Sequence, residues 1–191
     1  MRIIAGRFRG RKLKSPPSLA TRPTSDRLRE TMFNILAPRI KGARFLDLCA
    51  GTGAVGIEAL SRGASQVTFV DQSRKMCGLI EANLQALAIS EDEIEEDEIE
   101  IVTSEASEFL RKFVKKATEP FDIIFFDPPY AADYETILNS IGEHAAHILH
   151  SDAIVIVEHD KRKQLSDQFN ALKRCREVKQ GDSVLSFYQI R

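Results

Sequence analysis

The stretch "FLDLCAGTGAVG", residues 45–56, decides how this sequence is read. A short apolar run ends in the carboxylate of Asp47, and Gly51, Gly53 and Gly56 follow at the spacing G-x-G-x-x-G. After a strand and before a helix, such glycines allow a tight turn and the close approach of a ligand to bare backbone. Taken alone, they suit a dinucleotide, S-adenosylmethionine or a purely structural turn. Asp47 separates these options, because a carboxylate at the strand end would repel a pyrophosphate and attract a sulfonium and an ammonium group. The loop therefore points to S-adenosylmethionine.

Working outward, "RFLDL", "QVTFV", "IEIVT", "FDIIFF" and "AIVIVE" are short, apolar and rich in β-branched or aromatic residues. Helical stretches are expected between and after them at 55–61, 73–87, 106–116, 134–149 and 161–172. Alternating strands and helices predict an α/β fold: a mostly parallel sheet, helices on both faces, and ligands at the carboxyl ends of the strands. In the tail, two strand-like runs meet at Gly181 and Asp182, which signals an antiparallel hairpin. Upstream, "MRIIAG" and "RFRGRKLK" read as a basic β-hairpin broken at Gly6 and Gly10. The helix "TSDRLRETMFNIL" follows, with Thr24 as N-cap and Leu28, Met32, Ile35 and Leu36 on one face. This spacing leaves Arg27 and Arg29 off the apolar stripe.

Further acids stand at the predicted strand ends. Asp71 closes the second strand, at the distance of an acid that binds ribose hydroxyls, or else it caps the next helix. Glu105, after the third strand, reaches an adenine amino group or serves as a first-turn helix acid. The fourth strand delivers "FFDPPY" to the same edge as the glycines. Pro128 and Pro129 fix φ and remove two backbone donors, so the loop presents Asp127 and carbonyl acceptors. Such a set suits an exocyclic amine on a flat ring, and Tyr130 offers a surface for a base extruded from its stack.

Composition fits a soluble globular domain: 191 residues, 43% hydrophobic and 29% charged. The three cysteines, Cys49, Cys77 and Cys175, form no CxxC or Cys/His cluster, so neither a disulfide framework nor a zinc site is encoded. The segment 1–44 carries twelve Lys/Arg against Asp26 and Glu30, while eight of the ten residues 91–100 are acidic. A basic front on a chain of net charge -1 predicts one surface for a polyanion, with the acidic run turned away from it. No apolar run approaches a membrane span, and the expected compartment is the cytoplasm.

"DLCAGTGAVG", the strand-end Asp71 and "DPPY" resemble class I S-adenosylmethionine-dependent methyltransferases that act on a planar amino group. "MRIIAGRFRGRKLK", "RPTSDRLRETMFNIL" and "GIEALSRGA" resemble the RsmD family of ribosomal RNA guanine-N2 methyltransferases, over essentially the whole chain. Two departures stand out: the acidic run looks like a lengthened loop, and Glu105 stands where related enzymes often have Asp. The resemblance implies a seven-stranded class I sheet in residues 24–191 and a basic hairpin extension in 1–23. It implies S-adenosylmethionine held by Asp47, Ala50, Gly51, Gly53, Asp71, Gln72, Glu105 and Ala106. Asp127, Pro128, Pro129 and Tyr130 would be catalytic, without a metal. Arg7, Arg9, Arg11, Lys12, Arg22, Arg27 and Arg29 would grip small-subunit ribosomal RNA, within a ribonucleoprotein particle, and the protein would be a monomer. Still open are an amino-methyltransferase acting on DNA adenine N6 or a protein amide, a non-catalytic RNA-binding assembly factor, and a nicotinamide oxidoreductase.

Overall fold

The structure is a computed structural model that describes residues 1–16, 25–87, 99–116, 118–129 and 133–191. The parallel strands are β1 (Arg44–Leu48), β2 (Gln66–Asp71), β3 (Ile99–Thr103), β4 (Phe121–Phe126) and β5 (Leu149–Asp160), joined by β6 (Gln168–Phe169), β7 (Leu172–Gln180) and β8 (Ser183–Ile190). The helices are α1 (Asp26–Leu36), α2 (Ala54–Ser61), α3 (Arg74–Ala86), α4 (Ala106–Phe113), α5 (Tyr134–Glu143) and α6 (Ala145–Ile148). The strands form one sheet in the order β3-β2-β1-β4-β5-β8-β7-β6, with β8, β7 and β6 antiparallel. The order runs outward from β1 toward β3 on one side and from β4 toward β5 on the other, so a crevice opens where β1 and β4 part.

Alternation along the strands splits the core in two. Phe45, Ile123, Phe125 and Ile156 pack with α1, α2 and α3, whereas Leu46, Leu48, Ile124, Phe126 and Val157 pack with α4, α5 and α6. No described helix is long and apolar enough to cross a membrane. The acidic run lies outside the described residues over 91–98, and its last two residues open β3.

Three expectations need correction. The sheet has eight strands rather than seven, the extra one being the two-residue β6. No helix forms over 161–172: Leu165, Phe169 and Leu172 have helical spacing and are buried, but Asn170 at φ 51 turns the chain so that Phe169 pairs with Leu172 across a hairpin. Pairing with the sheet edge overrides the local pattern. The basic front folds back on itself as a short hairpin: Arg2 bridges Lys12 antiparallel, Ile3 N donates to the Arg11 carbonyl at 3.0 Å, and Leu13 N donates to the Met1 carbonyl at 3.1 Å. The amides between its two arms go to α2: Ile4 and Ala5 donate to the Glu58 carboxylate at 2.8 and 3.0 Å, Arg7 to the Ser61 carbonyl at 2.7 Å, and Phe8 to Ser61 Oγ at 2.9 Å. A Cβ on Gly6 would lie 1.7 Å from the Ser61 carbonyl oxygen, so only glycine permits this approach.

The third correction concerns α1. Its N-cap is Ser25, whose hydroxyl accepts from Leu28 N at 3.1 Å; Thr24 lies outside the described residues. The buried face includes Phe33 and also Arg29, which is 0% exposed. Arg29 donates to the Arg2 carbonyl at 2.5 Å and to Asp26 at 3.0 Å, and its Nε lies 3.8 Å from Glu58. Burial lowers the Arg29 pKa, and Glu58 and Asp26 oppose that shift. Arg29 is therefore a buried strut, with no surface to offer RNA.

Candidate active site

A cleft of about 780 Å³ opens at the carboxyl ends of the parallel strands and is floored by the loops that leave them. It is lined by carboxylates from several strand ends: Asp47, Asp71, Glu105, Asp127 and Glu158.

On the β1 side these acids organise the glycine loop. Asp47 is 1% exposed and its Oδ2 accepts the Gly56 amide at 2.8 Å. Burial, reinforced by the Asp71 charge and opposed by the Gly56 hydrogen bond, pushes Asp47 up to about 7. Asp71 accepts the Gly51 amide on Oδ2 and the Ser73 amide on Oδ1, each at 2.8 Å. Gly51 has φ 55 and nothing near its missing Cβ, so it leaves the cleft floor open, whereas a Cβ on Gly56 would meet Phe69 at 2.3 Å. The first glycine serves the cavity and the third serves helix-to-strand packing.

This arrangement separates the ligands that the glycines left open. A pyrophosphate needs free loop amides. Here the Gly51 and Gly56 amides already donate to carboxylates, and the wall is anionic. The chemistry fits a cationic ligand. Cys49, at φ 68, lines the same wall, and burial together with Asp71, Asp127 and Asp47 pushes its thiol up to about 12, so it is no nucleophile.

Ala50, Gln72 and Ala106 also line the cleft. Glu105 occupies the N-cap position of α4 without making a side-chain capping bond. On the β4 side, Asp127, Pro128 and Pro129 line the wall. The hydroxyl of buried Tyr134 donates to the Pro128 carbonyl at 3.4 Å, and Lys163 Nζ stands 4.1 Å from the Tyr134 ring centroid. Asp133 caps α5 and is held below the usual carboxylate range by its hydrogen bonds from Thr136. Tyr130 and Arg22 lie outside the described residues.

Of the expected RNA contacts, Arg7, Arg9, Arg11, Lys12 and Arg27 are exposed or half-buried at the surface. Arg9 and Arg27 come together with Arg2 around one hollow, the Arg7 guanidinium stacks over Phe8 at 5.0 Å, and Arg11 donates to the Ala86 carbonyl. Arg29 does not join them.

Sequence reasoning missed several lining residues. Glu158 carried the same signal as Asp47 and Asp127, an acid closing an apolar strand. Met1, Ser15 and Pro16 carried none, because they reach the cleft only through tertiary packing. Buried Asn83 of α3 holds them there: its amide accepts from Lys14 N at 2.8 Å and donates to the carbonyls of Lys14 at 3.3 Å and Thr52 at 3.1 Å.

The family described as Conserved hypothetical protein 95 matches residues 1–189. The Haemophilus influenzae protein named Ribosomal RNA small subunit methyltransferase D is 37% identical over 167 residues, 86% of this chain and 81% of its own. The chain belongs to the RsmD family of methyltransferases. Among solved structures, the yhhF protein of Escherichia coli is 35% identical, with a TM-score of 0.83 over 100% of this chain and 98% of that one. SMU.776, solved with SAH, is 16% identical and shares the fold, with a TM-score of 0.67 over 85% of this chain and 49% of its own.

Proposed function

We propose that this chain transfers a methyl group from S-adenosylmethionine to the exocyclic 2-amino group of a guanine in small-subunit ribosomal RNA. The observation that carries this reading is the anionic crevice, in which Asp47 and Asp71 occupy the loop amides while Asp127 and Pro128 present acceptors one strand away. Family membership and the named relative support ribosomal RNA as the substrate class.

S-adenosylmethionine, when bound, supplies an electrophilic methyl on a sulfonium. Asp47 and Asp71 would hold its cationic and hydroxyl groups, and Gly51 leaves room for it. Asp127 and the Pro128 carbonyl accept the two hydrogens of the target amine, which fixes the ring and turns the nitrogen lone pair toward the donor side of the crevice. A carbonyl oxygen has two lone pairs; Tyr134 engages one and leaves the other for the amine. Tyr130 stacks on the extruded base. Asp127 also stabilises the positive charge that develops on nitrogen as the carbon-nitrogen bond forms and the methyl carbon-sulfur bond breaks to leave a neutral thioether, and the proton then passes from nitrogen to solvent. The exposed arginines and Lys12 grip phosphates outside the anionic crevice.

The test is mass-spectrometric mapping of methylated nucleotides on small-subunit RNA from cells with and without the protein, paired with labelled-cofactor assays on RNA, DNA and peptide. N2-methylguanine that disappears with the gene is the expected result. Label in DNA adenine or a peptide amide, with none in RNA, would overturn it.

A further inference from the structure

Glu158 is an acid the mechanism above does not use. β4 and β5 pair in parallel with Phe125 opposite Ile156 and Phe126 opposite Val157, so the next step along both strands sets Asp127 beside Glu158. Register neighbours share a face of the sheet, and Phe125 and Ile156, two residues earlier, pack in the same core cluster. Glu158 is 7% exposed and still lines the cleft. Ionised carboxylates are pure acceptors. Its neighbour His159 also lines the cleft, but both ring nitrogens are engaged within the protein: Nε2 lies 2.9 Å from Ser186 Oγ and Nδ1 3.1 Å from the Asp160 carbonyl, and burial lowers its pKa. The substrate half of the crevice thus offers Asp127, the Pro128 carbonyl and then Glu158, acceptor after acceptor.

A substrate matched to this row needs donors at adjacent positions. Among the standard bases, only guanine carries a ring N–H next to its exocyclic amine. Adenine and cytosine present an acceptor nitrogen there, and a side-chain amide presents a carbonyl oxygen, each of which an anion repels. We propose that Glu158 accepts the N1–H of the target guanine while Asp127 and Pro128 receive its 2-amino group, so that Glu158 sets the base choice of the enzyme. The inference rests on the guanine-N2 reading given above.

The experiment compares wild type with Glu158→Gln on small subunits whose RNA carries, at the mapped position, either guanine or 2-aminopurine. The analogue keeps the 2-amino group and replaces N1–H with an acceptor. Wild type should favour guanine by at least about a hundredfold in kcat/KM, as expected for a site built around a substrate N–H. In Glu158→Gln the guanine-to-analogue ratio should fall at least about tenfold, because the amide can turn an N–H toward the analogue. Glu158→Asp, which keeps the acceptor, should retain the guanine preference at reduced rate. Cofactor affinity and melting temperature should match wild type in both variants. A ratio unchanged in Glu158→Gln, whatever its absolute rate, overturns the proposal, as does a wild type that uses both bases equally. If wild type places no methyl on guanine N2 at all, the underlying reading fails and this inference fails with it.

Discussion

Asp127 and Asp47 are both carboxylates at strand ends, yet their surroundings give them different tasks. If Asp127 acts as an acceptor for the target amine, Asp127→Asn should keep measurable turnover, since an amide oxygen still accepts a hydrogen bond. Asp127→Ala should lose far more, with cofactor affinity intact in both. Single-turnover rates on mapped RNA decide this, and equal, complete loss in the two variants would point to a role that needs the charge. Asp47 instead makes a prediction in pH. Its folded value is about 7 against an ordinary 3.8, so between those values the folded state keeps a proton that the unfolded chain has lost. Its contribution to stability is full below about 3.8 and declines as pH rises toward about 7. A cationic cofactor reverses the preference for the neutral acid and expels the proton. Affinity for S-adenosylmethionine, measured by calorimetry between pH 5.5 and 7, should therefore rise with pH by up to about tenfold per unit. Asp47→Asn should be weaker and flat across the same range.

At the scale of elements, α2 and α3 hold the amino-terminal segment against the cleft. Glu58 of α2 is buried with Arg29, accepts the Ile4 and Ala5 amides and pairs with Arg62 at 2.7 Å. Removing the Arg29 guanidinium would leave a buried acid short of a partner. Arg29→Met should therefore lower stability by about 3 kcal/mol, the lower end for a broken buried pair because Arg62 remains. Denaturant unfolding reads this directly; undiminished stability with lost RNA affinity would restore Arg29 to the docking surface. On α3, Asn83→Ala removes the amide that joins Lys14 to Thr52 in the glycine loop. The loop and the wall formed by Met1, Ser15 and Pro16 should loosen together, which raises the cofactor Kd about tenfold, the equivalent of one or two buried hydrogen bonds. Unaltered affinity would show that the wall and the loop are independent.

Across the whole molecule, charge is divided: carboxylates line the cleft, and exposed arginines and Lys12 gather on the amino-terminal segment, which the proposed function assigns to phosphate. Neutralising Arg9, Arg11 and Lys12 together should raise KM for RNA and flatten its salt dependence by roughly 0.7–0.9 in log-log slope for each phosphate no longer gripped. Cofactor affinity should hold, because these side chains lie outside the cleft although Met1, Ser15 and Pro16 of the same segment line it. A triple variant with the parental salt slope would move RNA docking elsewhere.

Strand identity, parallel pairing and the edge of the sheet at which the cleft opens were legible in the sequence, because buried parallel strands are near-continuous apolar runs and their closing acids and glycines are local signals. Asp47, Asp71 and Asp127 could be named for that reason, and Glu158 could have been. Three features could not. Leu165, Phe169 and Leu172 fit a helix by spacing, and only the available sheet edge made them a hairpin. Arg29 shares the buried face of its helix with Met32, Phe33 and Leu36, but the partner that lets a guanidinium stay there, Glu58, comes from another helix. Asp71 read as a ribose ligand or a helix cap, and only the fold brought its carboxylate onto the Gly51 amide. Local patterns record what each segment would bury or turn, while a charge's partner is set by whatever the chain brings beside it, and that is decided by tertiary packing.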